Sequence, residues 1–204
     1  MDIKKIPNIL TVIRALLVPV FMVILIFSPF ATDTVTRVVS AGLFALISLT
    51  DMLDGMIARR WNAISDFGKF LDPIADKLLV IGGMLALVIF YMERMAENEE
   101  YYLFSVLIVF SLFIVVAREL AVTSLRLICK SEGEVIAANM AGKVKTVSQI
   151  IFILAACLEP IFMTDTLYIS YLALAVMTFM TIYSGVNYFI LYLPLTKKKE
   201  EPKA

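Results

Sequence analysis

Long apolar stretches separated by short polar connections run through this chain from end to end. Six of them are long enough to cross a bilayer, whose hydrocarbon core of about 30 Å needs about 20 residues of helix. They cover residues 7–27, 35–58, 70–92, 102–125, 144–164 and 167–193. The pattern predicts an all-α integral membrane protein, a bundle of six transmembrane helices that forms a single domain over residues 1–204.

Basic residues are distributed unevenly among the predicted connections. An even number of spans puts both termini on one side, and that side carries thirteen Lys and Arg residues against two, Arg37 and Arg94, on the other. Because cytoplasmic loops carry an excess of Lys and Arg, we expect both termini and the connections at 59–69 and 126–145 to be cytoplasmic. The first apolar stretch is too long for the core of a signal peptide and no small-residue cleavage site follows it, so we expect a retained span.

Composition narrows the possible chemistry. Of the 204 residues, 61% are hydrophobic and 18% are charged, which excludes an ordinary soluble domain. The chain has no histidine, which excludes imidazole-based nucleophilic sites and His-ligated zinc. Its two cysteines, Cys129 and Cys157, lie in or beside apolar runs without metal-binding spacing, so we expect buried free thiols.

Four aspartates lie where a membrane bundle should not have charges. Asp51 and Asp54 lie near the end of the second predicted span, and Asp72 and Asp76 near the start of the third. The short connection makes these helices antiparallel neighbours, and the spacing puts each pair on one helix face at a similar depth. Four unpaired carboxylates would repel one another. Divalent cations remove that conflict, and an oxygen-only ligand set favours Mg²⁺ or Mn²⁺.

Small residues and an arginine accompany these acids. Gly55 and Ala58 share the helix face of the first pair, with Arg59 at its edge, and Gly68 continues the stripe of the second pair. Small residues let a phosphate come close, and the guanidinium fork of an arginine suits phosphate oxygens. Magnesium held by carboxylates usually keeps positions open for substrate phosphates. The residues therefore predict metal-assisted phosphoryl transfer at the membrane surface.

A cation transporter is the alternative from a different class. The four carboxylates would then line an ion pathway, and the small residues would serve close helix packing. Transporters usually place their sites near the midplane, on broken helices of repeated halves. Here the acids lie toward one face and no internal repeat is visible, which favours the enzyme.

The central motif also resembles that of a known family. Asp51-x-x-Asp54-Gly55-x-x-Ala58-Arg59, followed after eight residues by Gly68-x-x-x-Asp72-x-x-x-Asp76, is similar to the full motif of the CDP-alcohol phosphatidyltransferases. The resemblance implies that the acids bind a pair of divalent ions and that Asp76 is the general base. It implies that the Gly, Ala and Arg positions contact the CDP moiety, and that the six-span protein is a homodimer.

Residues outside the motif indicate where the substrates bind. Asn8 and Thr11, at i and i+3 on the first span, are close enough to contact a nucleotide together; the alternative is an N-cap and a backbone-bonded hydroxyl. Ser65, in the connection over the acids, is a further candidate for the same ligand.

A basic pocket is the second predicted site. Arg118 lies deep in the fourth span, where an arginine faces an interior cavity and needs a partner. The predicted pocket consists of Arg118, Arg126, Lys143 and Lys145. It implies an anionic acceptor, most simply a phosphate monoester. A structural Arg118–Glu119 pair with interface lysines is the alternative.

Segments outside the motif resemble one bacterial branch of the family. They are Pro7-Asn8-Ile9-Leu10-Thr11, Ala117-Arg118-Glu119 and Gly142-Lys143-x-Lys145-Thr146. This resemblance implies transfer from CDP-diacylglycerol to sn-glycerol 3-phosphate in a bacterial cytoplasmic membrane, with the site facing the cytoplasm and no nucleic-acid partner. Cardiolipin, phosphatidylserine and phosphoinositol-phosphate synthases are alternatives within the family. The basic pocket argues against serine, and cardiolipin synthesis needs room for a second lipid.

Overall fold

Six long α-helices make up the part of the chain that the computed structural model describes. That part is residues 6–28, 32–60, 66–96, 98–131, 140–163 and 166–197, without the side chains of residues 6–8, 51–60, 66–67, 69 and 193–197. The helices are α1 (Ile6–Phe27), α2 (Asp33–Arg60), α3 (Asp66–Glu93), α4 (Glu99–Ser131), α5 (Met140–Phe162) and α6 (Tyr168–Lys197). All six are long and apolar enough to cross a membrane, which confirms the predicted fold of a multi-pass membrane protein.

The fourth helix differs most from its predicted bounds, because it continues to Ser131 rather than ending at residue 125. Its buried positions Val122, Leu125 and Cys129 keep the spacing of three to four residues past the predicted end. At about 1.5 Å per residue, its 33 residues span about 50 Å. The helix therefore extends out of a hydrocarbon core of about 30 Å.

Contacts at both ends of α1 fix its direction relative to α3. Thr11 donates a hydrogen bond to Asp72 near the start of both helices, and Arg94 donates one to Ser28 just beyond the end of both. These two helices therefore run in parallel, side by side. We call the end of the bundle that holds Asp72 the motif end, and the other the far end.

The other helices alternate in direction. The contacts that fix them are Asp33–Arg94, Arg37–Tyr91, Tyr91–Ala156, Lys77–Thr123, Arg118–Ser184 and Arg126–Tyr188. Helices α1, α3 and α5 begin at the motif end, and α2, α4 and α6 end there. The bundle thus brings the last turns of α2 and the first turns of α3 to the same end, as the motif requires.

Two consecutive glycines let α3 occupy the middle of the bundle. A Cβ atom on Gly82 would lie 2.8 Å from Val18 Cγ1, and one on Gly83 would lie 2.8 Å from Ile153 Cδ1 and 3.1 Å from Phe44 Cε2. All three distances are shorter than van der Waals contact, so α1 packs against the backbone of Gly82, and α2 and α5 pack against that of Gly83. This close approach sets the register in which α1 and α3 present their polar side chains.

The far end has an aromatic core around Tyr91. Its ring makes edge-on contacts with Phe90, Tyr101 and Phe104, with ring centres 5.0 to 5.6 Å apart. Its hydroxyl donates to the carbonyl of Ala156 at 2.6 Å. Buried tyrosines need such a partner, and this one ties α3 to α5.

Both cysteines are buried and free, Cys129 in α4 and Cys157 in α5, as predicted.

Candidate functional site

An acidic stripe lies on α3 at the motif end. Asp72 and Asp76 are one turn apart, and their side chains are 54% and 51% exposed. Gly68 lies one turn earlier on the same stripe and is buried. The helix therefore presents two carboxylates that are accessible to a ligand, with a position lacking a side chain beside them.

Residues of α1 hold these carboxylates. The Thr11 hydroxyl donates to Asp72 Oδ1 at 2.8 Å, and Arg14 Nη1 donates to Asp76 Oδ1 at 3.2 Å. Arg14 Nη2 also lies 3.8 Å from Asp72 Oδ1. Because the Arg14 side chain is only 1% exposed, its charge is directed inward at the two acids. One buried cation thus serves both carboxylates.

The first half of the motif lies in α2, which ends at the motif end. Its residues are Asp51, Asp54, Gly55, Ala58 and Arg59, all within the last ten residues of that helix. Their side chains lie outside the described part of the structure, as do Ser65 and the side chain of Asn8. The meeting of all four carboxylates therefore stays a prediction. Among the described side chains, no group of three or more His, Cys, Asp or Glu residues could hold a metal ion.

The described acids fit a divalent cation. They offer oxygen donors, which hard ions such as Mg²⁺ prefer, and they are half exposed. The guanidinium of Arg14 lies against both carboxylates, so this position already accommodates positive charge.

A basic cluster forms where side chains of α4 and α5 meet. Arg118 Nη1 donates to Glu119 Oε1 at 2.8 Å, and Lys145 Nζ donates to the same oxygen at 2.6 Å. Lys145 is 8% exposed, and Asp76 of the acidic stripe is close enough to interact with it electrostatically. Two of the four predicted pocket residues, one on each helix, therefore meet beside the acids.

Helix α6 closes the other side of this cluster. Arg118 Nη2 donates to Ser184 Oγ at 2.6 Å, and Arg126 Nη2 donates to the Tyr188 hydroxyl at 2.7 Å. Both guanidinium groups lie over the Tyr188 ring, 5.5 and 5.1 Å from its centre. Tyr188 thus holds two of the predicted arginines in one region.

Lys143 is not brought to this cluster. It is exposed, and no hydrogen bond or ion pair joins it to another described residue. Two residues correspond to about 200° around a helix, so Lys143 and Lys145 lie on nearly opposite faces of α5.

A short chain of hydrogen bonds links the acidic and basic groups. Lys77, which follows Asp76, donates to Thr123 Oγ1 at 2.8 Å, and that hydroxyl donates to the carbonyl of Glu119 at 2.6 Å. The acidic stripe on α3 and the carboxylate that anchors the basic cluster on α4 are therefore held in a defined relation.

Several residues of this region were missed by sequence reasoning: Arg14, Lys77, Ser184 and Tyr188. Arg14 carried a usable signal, because an arginine inside a span needs a partner and this one follows Thr11 by three residues. Ser184 and Tyr188 carried none, since hydroxyl residues are common in transmembrane helices.

Comparison with known proteins adds a family and named relatives. A family model described as CDP-alcohol phosphatidyltransferase matches residues 4–186. A Bacillus subtilis (strain 168) protein is 38% identical over 195 residues, 91% of this chain and 93% of the relative. A Rickettsia typhi protein is 32% identical over 190 residues, 91% of this chain and 96% of its own. A Salmonella choleraesuis protein is 36% identical over 149 residues, 72% and 73% of the two chains. All three are named CDP-diacylglycerol–glycerol-3-phosphate 3-phosphatidyltransferase.

Proposed function

Because the chain belongs to the CDP-alcohol phosphatidyltransferase family, we propose that it transfers the phosphatidyl group of CDP-diacylglycerol to sn-glycerol 3-phosphate. The products are phosphatidylglycerol phosphate and CMP. The names of the bacterial relatives support this reaction. The structural observation that carries the proposal is the meeting of two basic side chains, Arg118 and Lys145, at the Glu119 carboxylate. Lys145 also interacts electrostatically with Asp76. A basic pair beside the acids favours an acceptor that is itself a phosphate.

The acids of the motif are proposed to hold two divalent ions, Mg²⁺ or Mn²⁺. The ligands would be Asp51, Asp54, Asp72 and Asp76. The half-exposed carboxylates on α3 and the cation that they already share support this assignment. When bound, such ions supply the Lewis acidity that neutralises a diphosphate and a departing nucleotide.

The donor lipid is proposed to bind along α1, α2 and the start of α3. The residues concerned are Asn8, Thr11, Gly55, Ala58, Arg59, Ser65 and Gly68. The Thr11 hydroxyl donates a hydrogen bond to Asp72, which puts it beside the acids where the nucleotide is proposed to bind. Arg59 can pair with a phosphate oxygen, and the three small residues leave room for the diphosphate.

The acceptor phosphate is proposed to bind Arg118 and Lys145, with Arg126 held nearby by Tyr188; a role for Lys143, on another face of α5, stays a prediction. The terminal hydroxyl of glycerol phosphate then attacks the phosphorus that carries the diacylglycerol. A carboxylate oxygen of Asp76 accepts the hydroxyl proton. The bond between that phosphorus and the bridging oxygen breaks, and its electron pair leaves with CMP.

A panel of acceptors tests this function. Purified protein is incubated with CDP-diacylglycerol, Mg²⁺ and labelled glycerol 3-phosphate, serine, inositol phosphate or phosphatidylglycerol. We expect a metal-dependent lipid product and CMP with glycerol 3-phosphate alone. A lipid product with another acceptor instead would assign the protein the specificity of another branch of the family. A cation flux in liposomes without any lipid product would favour a transporter.

We further propose a single-domain homodimer in the bacterial cytoplasmic membrane, with the motif end facing the cytoplasm. The excess of basic residues on the predicted connections at that end supports this orientation. Both native cysteines are buried, so new ones report position cleanly. A membrane-impermeant thiol reagent should label Met95→Cys in intact cells, and Met140→Cys only after lysis; the reverse pattern would invert the topology.

A further inference from the structure

The two carboxylate oxygens of Glu119 are in different situations. Oε1 accepts hydrogen bonds from both Arg118 and Lys145. Oε2 makes no hydrogen bond with any residue that the structure describes, and the side chain is 16% exposed. An ionised carboxylate can accept about four hydrogen bonds. Glu119 therefore anchors two cations through one oxygen and keeps the other available to accept from a ligand.

The position of this carboxylate is fixed by several helices. Lys145 holds it from α5, and Arg118 connects it to Ser184 of α6. The Glu119 backbone carbonyl accepts from Thr123, which accepts from Lys77 of α3. A carboxylate held from α5 and, through Arg118, from α6 loses little further freedom when a ligand binds, so a contact made through Oε2 retains most of its free energy.

A free carboxylate oxygen is a poor partner for a bare phosphate, because both are negatively charged and neither has a hydrogen to donate. It is a good partner for a hydroxyl carried next to a phosphate. The cluster thus combines two cations, which suit the phosphate, with one acceptor, which suits an alcohol. This combination matches a polyol phosphate better than a simple phosphate monoester.

We propose that Glu119 determines acceptor specificity, with Oε2 accepting a hydrogen bond from the non-reacting hydroxyl of the acceptor while Arg118 and Lys145 hold its phosphate. In glycerol 3-phosphate this is the hydroxyl of the middle carbon. The inference rests on the proposed function and extends it, since it assigns recognition of the middle hydroxyl to Glu119, which is not one of the predicted pocket residues.

An acceptor analogue isolates this contact. 3-Hydroxypropyl phosphate keeps the terminal hydroxyl and the phosphate of glycerol 3-phosphate and lacks only the middle hydroxyl. A hydrogen bond to a charged group corresponds to roughly 10- to 150-fold in affinity. We expect the wild-type protein to prefer glycerol 3-phosphate by that factor in kcat/KM.

Variants of Glu119 then separate recognition from support of the fold. Glu119→Met, of similar size and without an oxygen acceptor, should bring the ratio of the two kcat/KM values close to one. Glu119→Gln, which can make only neutral hydrogen bonds, should reduce it below about tenfold. Tyr188→Phe is the matched control: it keeps the ring and removes the hydroxyl that holds Arg126, a proposed phosphate ligand for both acceptors, so both values should fall together and the wild-type ratio should persist.

The outcomes are distinct. A wild-type protein that uses both acceptors equally, or a Glu119→Gln protein that keeps the full wild-type preference, would overturn the inference while leaving the proposed function intact. A wild-type protein that makes lipid product with neither acceptor would overturn the proposed function itself. Because the Gln variant preserves size and polarity, the test does not depend on folding of the Met variant.

Discussion

Charged side chains are paired differently at the two ends of the bundle. At the far end, Arg94 makes a two-pronged pair with Asp33 at 2.7 and 2.9 Å. Glu159, which is 4% exposed, accepts from the backbone nitrogens of Ile169 and Ser170 at 2.7 Å each, at the start of α6. These charges are matched to nearby partners, and the contacts join neighbouring helices.

At the motif end, two charges of the same sign share one oppositely charged residue among those that the structure describes. Asp72 and Asp76 both face Arg14, and Arg118 and Lys145 both bind one oxygen of Glu119. Each group keeps capacity for a further ligand of opposite sign. The ion pairs at both ends can stabilise the fold. Only at the motif end, where two like charges share one residue of opposite charge, can the charged groups also bind a ligand. The difference separates the structural charges of this protein from its candidate binding charges.

The largest expected difference is between an aspartate from each end. Asp76→Asn should lower kcat by about 10²–10⁴-fold, the usual contribution of a general base, while CDP-diacylglycerol binding changes only a few-fold. Asp33→Asn, at the far end, should leave kcat near the wild-type value and lower the melting temperature. For both variants, kcat is measured by turnover, donor-lipid affinity by equilibrium binding, and the melting temperature by thermal unfolding. If Asp76→Asn kept more than about a tenth of the wild-type rate, the base would have to be another group.

The next contrast concerns arginines. Arg118→Ala should raise the KM for glycerol 3-phosphate by roughly 10- to 150-fold with a much smaller effect on the KM for CDP-diacylglycerol. Arg118→Lys should recover part of this, because a point charge lacks the guanidinium fork. Arg37→Met is the far-end control. Arg37 is 5% exposed and lies 4.5 Å from the Phe90 ring centre, so its loss should reduce stability and affect both substrates alike. Equal KM changes for Arg118→Ala would make that residue structural.

Local patterns predicted much of this molecule. The six helices follow from the length of the apolar stretches, since a bilayer leaves few alternatives for the backbone. The i, i+4 spacing of Asp72 and Asp76 correctly puts both on one face. An arginine deep in a span needs partners, as predicted for Arg118, and it donates hydrogen bonds to Glu119 and Ser184.

Contacts between distant segments were harder to predict. Arg14 reaches Asp76 across 62 positions of the chain, and nothing in either segment specifies that α1 lies against α3. The Gly82–Val18 approach that fixes this neighbour relation depends on packing, which apolar periodicity leaves open. Lys143 was grouped with Lys145 by charge alone, although helix geometry separates their faces by about 200°; its role in acceptor binding stays a prediction.

The packing that positions Arg14 can be tested without substrates. Gly82→Ala would place a methyl group 2.8 Å from Val18 Cγ1, and Val18 is stiff because it is β-branched. Overpacking of this kind costs about 1–3 kcal/mol. Gly42→Ala is the control, since apart from its own stretch of helix backbone no atom lies within 4 Å of its added methyl; it should be neutral or stabilising by up to about 1 kcal/mol. Thermal unfolding in detergent compares the two, and equal stability would mean that α1 does not pack this closely on α3.

The smallest expected effect tests the shared cation itself. Without bound metal, Arg14→Gln leaves Asp72 and Asp76 to repel each other, and the half-exposed carboxylates limit the loss to about 1 kcal/mol. For a chain of this size, that corresponds to roughly 2–4 °C in melting temperature. Added Mg²⁺ should restore more stability to Arg14→Gln than to the wild type, because the ion no longer shares the carboxylates with a guanidinium. The far-end variant Arg94→Gln removes an arginine that is paired with a single carboxylate, Asp33, and should show no such gain. If Mg²⁺ raised the melting temperature of Arg14→Gln and Arg94→Gln equally, the two ends would not differ in the way that their contacts indicate.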